Sequence, residues 1–132
     1  DQQFTRALET PQYREVIRTW LAQGVCQARA GRLEDAERTL TRAFEVDAGS
    51  PAIAVNLAEV LYRKGEFERA RYYMRRVNQN TDVVSAETLW LAIRIENRMG
   101  NRTGLNELGA QLLNRFPQSP ESRAFQRGRF DD

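Results

Sequence analysis

Histidine is absent from this chain of 132 residues. That removes the commonest general base and the commonest metal ligand together. A single cysteine, Cys26, is present, so no disulfide framework forms within the chain and no imidazole stands by to activate the thiol. Set in a helical stretch beside Gly24 and Val25, Cys26 reads as a small core residue. In an oxidising compartment, a bond to a cysteine outside the chain is the alternative. No glycine-rich phosphate loop occurs, and the acidic pairs Glu34/Asp35 and Asp131/Asp132 read as solvated surface. No catalytic residue, cofactor or metal is expected. No run approaches the roughly 20 apolar residues of a membrane-spanning helix. The excess of one sign of charge is small too: the net charge is +2, and the basic residues are scattered along every helical stretch, so nucleic acid is not an expected partner. The chain has no signal peptide and does not begin with Met, and is expected to be a mature or trimmed piece.

What is present is periodicity. In Pro51–Val77, Ala54, Leu57, Ala58 and Leu61 recur at helical spacing, Gly65 interrupts, and Phe67, Ala70, Met74 and Val77 resume the pattern. A glycine takes the left-handed conformation that ends a helix, so the stretch predicts a helical hairpin. Shifted back by 34 residues, it falls on Ile17–Ala43 in phase: Gly31 on Gly65, Leu33 on Phe67, Ala36 on Ala70, Leu40 on Met74, Ala43 on Val77 and Gly24 on Ala58. A helix-turn-helix period of 34 is the tetratricopeptide signature, with Trp20, Gly24, Ala36 and Ala43 at its large and small positions. Small residues there let two helices cross closely, and Gly24 is expected to meet Ala36.

A third copy, shifted by 35, brings Gly100 onto Gly65 but puts Leu105 where Ala70 stands and Gly109 where Met74 stands. This reads as a diverged repeat near the end of a stack. The fold class expected is therefore all-α, a tetratricopeptide helical-hairpin superhelix with a C-terminal capping helix. One domain would fill residues 1–132. Residues 1–9 form the second helix of a truncated repeat, with Phe4, Ala7 and Leu8 spaced like Leu40, Ala43 and Phe44; Thr10–Tyr13 is a linker. Repeats follow at 14–47 (helices Glu15–Arg29 and Leu33–Val46) and 51–80, with Ser50 as N-cap and Pro51 opening the helix. The diverged repeat is 84–117 (helices Val84–Met99 and Thr103–Phe116). Ser119 caps a last helix, 119–128, whose Ala124 and Phe125 cover the stack. Arg129–Asp132 is expected to fray, and the last helix marks a natural C-terminus.

In such a stack the first helix of each hairpin lines the concave face. Its inward positions are Arg18, Leu21, Val25 and Arg29; then Val55, Glu59, Tyr62 and Arg63; then Trp90, Arg94, Asn97 and Arg98. Arg18, Arg29, Glu59, Tyr62, Arg63, Trp90, Arg94, Asn97 and Arg98 are the candidate partner-binding residues. Arginine forks a carboxylate and aromatics add rigid contact area, so an acidic or extended peptide fits. Against this, Trp90 has the alternative of packing between helices. Lys64 is also the only lysine among 20 basic residues, so some arginines must fall inward by frequency alone.

The run SPAIAVNLAEVLYRKGEFERARYYMRRV, followed by LWLAIRIENRMGNRTGLNELGAQLLNRFPQSPESRAF, resembles the type IV pilus biogenesis and stability lipoproteins of the PilF/PilW kind. RARYYMRRV, LWLAIRIE and LLNRFPQSPE carry the likeness, which covers nearly all of this chain and the later part of such a protein. The resemblance implies a non-catalytic protein on the periplasmic side of the Gram-negative outer membrane. It would be held there by an N-terminal lipid anchor that this chain lacks, since Cys26 lies inside a repeat. The implied partner is an outer-membrane secretin subunit, or another pilus-assembly protein, which a pilotin helps to localise and assemble. Some members are credited instead with stabilising the fibre. The competing expectations are a generic adaptor for an acidic or extended peptide and a regulatory piece of an enzyme. Association of two copies through the truncated end is a further expectation.

Overall fold

The structure is a computed structural model, and it describes residues 11–130, with Pro11–Tyr13 described in backbone only. The described residues form seven helices and no strand: α1 (Pro11–Arg29), α2 (Leu33–Val46), α3 (Pro51–Arg63), α4 (Phe67–Asn78), α5 (Ala86–Arg98), α6 (Arg102–Arg115) and α7 (Pro120–Gln126). The all-α class is as expected. None of these helices is long and apolar enough to cross a membrane. The expected helix over residues 1–9 lies outside the described residues. The chain divides into two compact units, residues 1–64 and 65–132.

In the first unit, α1 packs on α2 and α2 on α3. The turn after α1 is closed by Gly31, with φ of +80°. Its N–H reaches the Ala28 carbonyl at 3.0 Å, and that of Arg32 reaches Gln27 at 2.9 Å; only glycine takes this conformation without strain. Ala36, Leu40 and Ala43 are fully buried. A Cβ placed on Gly24 would lie 2.6 Å from both Cγ and Cδ2 of Leu40. At the close crossing Gly24 faces Leu40, a leucine filling the room a glycine leaves. Ser50 Oγ accepts the Ile53 N–H, and Pro51 occupies the first helical position, where its missing N–H costs nothing.

Two expectations are corrected here. Helix α1 begins at Pro11, before the expected Glu15, since proline suits a first turn as well as a linker. Cys26 is exposed; two residues from Gly24, it is turned about 200° around the helix from the buried stripe.

The first turn of α2 carries Asp35, which accepts from Arg32 Nε at 2.8 Å and also pairs with Arg38. The hydrogen bond from Arg32 is the largest influence on the Asp35 carboxyl; desolvation opposes it, and the charge of Arg32 with the hydrogen bond and charge of Arg38 hold the group below the usual carboxylate range. A depressed folded-state pKa contributes stability above the unfolded value of about 3.9, and that stability is lost as pH falls through the folded value. Asp35→Asn is expected to lower the melting temperature by about two degrees at pH 7, the scale of a surface pair. The difference narrows as pH falls through the carboxylate range and is lost once Asp35 is protonated in the folded state; a constant gap across pH would assign the loss to something other than its charge.

In the second unit, α4 packs on α5, α5 on α6, and α7 on both α5 and α6. Ser85 and Thr88 form a reciprocal capping box at the start of α5. Leu89, Trp90, Ile93 and Leu112 form the core, joined by Leu105, Leu108, Phe116, Ala124, Phe125 and Phe130. Gly109 explains the divergence of this hairpin. A Cβ there would lie 2.0 Å from Cζ of Phe125, so the large side chain missing from α6 is supplied by α7. Ser122 Oγ, fully buried, donates within reach of the Leu112 and Phe116 carbonyls at 3.2 and 2.6 Å and ties α7 to the end of α6. The expected fraying after Gly128 is corrected at Phe130, whose ring stacks on Trp90.

Candidate partner-binding site

The candidate residues stand where the 34- and 35-residue shifts put them, on α1 and α3 of the first unit and on α5 of the second. In the first unit, Arg18 and Arg29 are exposed, and Glu59 and Tyr62 are half-buried. Arg63 is exposed and donates through Nη1 to the Ala28 carbonyl at 3.0 Å. Its neighbour Lys64 reaches Glu37 at 2.5 Å and Glu34 at 2.7 Å. The end of α3 is therefore tied to the α1–α2 turn, which keeps α1 and α3 in register. A hollow of about 390 Å³ opens between α1 and the start of α3, floored by Ile17, Leu21 and Ile53 and edged by Arg14, Arg18 and Asp47. Of the predicted inward positions, Arg18 and Leu21 meet in it. An apolar floor under two guanidinium groups suits an apolar side chain next to a carboxylate.

In the second unit the same face behaves differently. Asn97 and Arg98 are exposed, and Arg94 is half-buried. The Arg98 guanidinium sits over the Phe67 ring at 4.9 Å, a cation–π contact that orients it along α5. Trp90, expected to offer its indole to a partner, is only 7% exposed. Phe130 covers it, with ring centroids 5.7 Å apart and 26° between planes.

Sequence reasoning did not anticipate the buried ion pair beside α5. Glu96, on the core side of α5, is 4% exposed. Arg71 Nε and Nη2 fork it at 2.9 and 2.6 Å, and Asn101 Nδ2 adds a third donor at 2.9 Å. Gly104 leaves the space these groups need, since a Cβ there would come within 2.6 Å of Asn101 Nδ2. Beside the pair lies a cleft of about 230 Å³ floored by Met74, Ala92, Ile95 and Leu108. The signal was available: Leu89, Ala92, Ile93 and Glu96 share one stripe, and a carboxylate on a core stripe demands a cation.

Known proteins place these features in context. A tetratricopeptide repeat family model matches residues 27–82. The type IV pilus assembly protein PilF of Pseudomonas aeruginosa is 26% identical over 129 residues, covering 96% of this chain and 51% of PilF. The chain thus spans about half the length of that relative. The crystal structure of PilW, a widely conserved type IV pilus biogenesis factor, superposes with a TM-score of 0.79 at 29% identity, over 93% of this chain and 56% of PilW. The structure of Pseudomonas aeruginosa PilF gives 0.73 at 24%, over 96% and 57%. PcrH from Pseudomonas aeruginosa also gives 0.73, over 88% of this chain and 89% of PcrH. At 16% identity that last likeness is one of fold alone.

Proposed function

We propose that this chain, whose residues 27–82 match the tetratricopeptide repeat and which is similar to type IV pilus biogenesis proteins, is a non-catalytic scaffold of pilus assembly. In this reading it acts on the periplasmic side of the outer membrane, as part of a lipoprotein. It serves there as a pilotin that helps secretin subunits localise and assemble, or as a factor that stabilises the pilus. The observation that carries the reading is the similarity to PilF along 96% of the chain. The physics of the surface supports it. Helices pinned by the Lys64 and Arg63 contacts form a preorganised face, which limits the entropy lost when a partner segment docks. A lipid anchor elsewhere in the protein would raise the effective concentration at the membrane, so a modest affinity suffices.

The test is co-purification of this chain, and of the whole protein, with unassembled outer-membrane secretin subunits. Arg18, exposed at the edge of the hollow, is the residue to reverse. Arg18→Glu is expected to keep the melting temperature within about two degrees and to weaken capture roughly tenfold. If only the whole protein captures the secretin, its surface lies outside these residues. Capture by neither favours the general adaptor, for which the paired Arg14 and Arg18 would hold an acidic peptide.

A further inference from the structure

The covered indole of the second unit has a meaning beyond capping. Under the repeat shifts, Trp90 stands at the position of Leu21 and Val55. Those two are half-buried, and Leu21 floors an open hollow. Only the third copy of this position is sealed. We propose that the face of Trp90 is a subsite for an aromatic side chain of a partner's extended segment, and that Phe130 is its exchangeable cover.

Two phenylalanines reach this region, and they are held differently. Phe125 sits in the notch of Gly109, so tightly that one added carbon would collide with it. It is a fixed part of the core. Phe130 arrives after helix α7 has ended. The chain turns at Gly128, with φ of +69°, the Gly128 and Arg129 N–H groups bonding the Phe125 and Ala124 carbonyls at 3.0 Å each. The next residue then lays its ring on the indole, with Phe125 edge-on at 6.2 Å. Phe130 remains half-buried. It is thus a non-helical side chain resting on a position that the other repeats leave accessible, as a bound residue would rest.

That occupant states the chemistry of the site. An aromatic ring offset over an indole at this separation is a favoured geometry, whichever chain supplies it. One and two turns further along α5 stand Arg94, Asn97 and Arg98, donors suited to a carboxylate near the aromatic residue. A tethered cover acts at high effective concentration, so a single weak contact from outside does not displace it. A partner that also engages other positions does. The cover therefore sets a threshold that favours multivalent partners over stray aromatic peptides.

This inference rests on reading the first helix of each hairpin as a partner face, but its test needs no pilus protein. With Trp20→Phe in the background, Trp90 is the only tryptophan, there being two in all. The probe is the synthetic peptide QRGRFDD, residues 126–132. Phe130→Ala is expected to stay folded by circular dichroism and to shift Trp90 emission to the red. The peptide should reverse that shift saturably, at least about tenfold more tightly than it acts on the chain with Phe130 in place. A peptide carrying alanine for Phe130 should do nothing. The proposal is overturned if the folded Phe130→Ala chain shows no emission shift or binds no peptide. It is equally overturned if both Phe130→Ala and the milder Phe130→Leu unfold the second unit, for Phe130 is then a wedge. A dimer that the parent chain forms and Phe130→Ala loses would assign the site to a second copy instead. Failure here leaves any secretin capture standing, and failed capture leaves a positive peptide result intact.

Discussion

Gly24→Ala lowers the melting temperature of the first unit by about ten degrees, although alanine is the better helix former. In an exposed helix interior this exchange stabilises by roughly 0.5–1 kcal/mol. Here the new methyl would sit 2.6 Å from Cγ and Cδ2 of Leu40, and 3.3 Å from Cδ1. Leu40 is fully buried between Ala36 and Ala43, which are buried as well, so its branch point has no free direction. Overpacking of this kind costs about 1–3 kcal/mol. Since Cγ, not merely a terminal methyl, is struck, the upper end applies, and the net loss is about 2 kcal/mol after the propensity gain. Gly24→Leu unfolds the unit. The mechanism has its own check in Leu40→Ala, which opens the space. Chemical denaturation of the double variant should recover at least about 1 kcal/mol relative to the sum of the single losses. A Gly24→Ala chain that melts higher than the parent would show that α1 and α2 have room to spare.

Arg71→Ala destabilises the second unit by about 3 kcal/mol, because it strands a carboxylate that water barely reaches. The Glu96 side chain is 5% exposed and that of Arg71 22%, so the arginine alone keeps part of its hydration. Removing it leaves Glu96 with Asn101 as the remaining donor described above. Deleting both charges is a different matter. The residue matching Glu96 one repeat earlier is Leu61, fully buried, so this position of the hairpin accepts an apolar side chain. Arg71→Met with Glu96→Leu is therefore expected to return to within about 1 kcal/mol of the parent. The comparison separates the two accounts of the pair. If the double variant is as unstable as Arg71→Ala, the pair supports the fold by more than its own neutralisation.

The hairpins were legible in the sequence because their signals are local. Gly31, Gly65 and Gly100 all have positive φ, at +80°, +83° and +71°, and their spacing alone sets the period. Ser50–Pro51 and Ser119–Pro120 marked helix starts through the chemistry of a free N–H. What escaped depends on contacts between distant elements. Pro11 carried no sign of whether it opened a helix or filled a linker. Cys26 looked like a core residue by type, and only its angle around α1 shows otherwise. That Leu40 lies nearest to Gly24 was not legible either, because the partner of a small residue is set by which large one reaches it. The candidate surface was legible as a set of positions, not as a set of accessible groups. Arg18 and Leu21 do share a hollow, whereas Phe130, 40 residues on from Trp90, lies beyond any periodicity argument.

The notch at Gly109 bears on how such an array can change by descent. A hairpin with a large residue in its second helix carries its own filling and can be copied as it stands. The hairpin of α5 and α6 cannot, since its filling is the Phe125 ring of α7. A duplication that copied residues 86–115 without α7 would create a void of the kind left by Phe→Ala in a core, at about 3–5 kcal/mol. The three helices are therefore inherited together, and any copying of this hairpin by recombination must carry α7 with it.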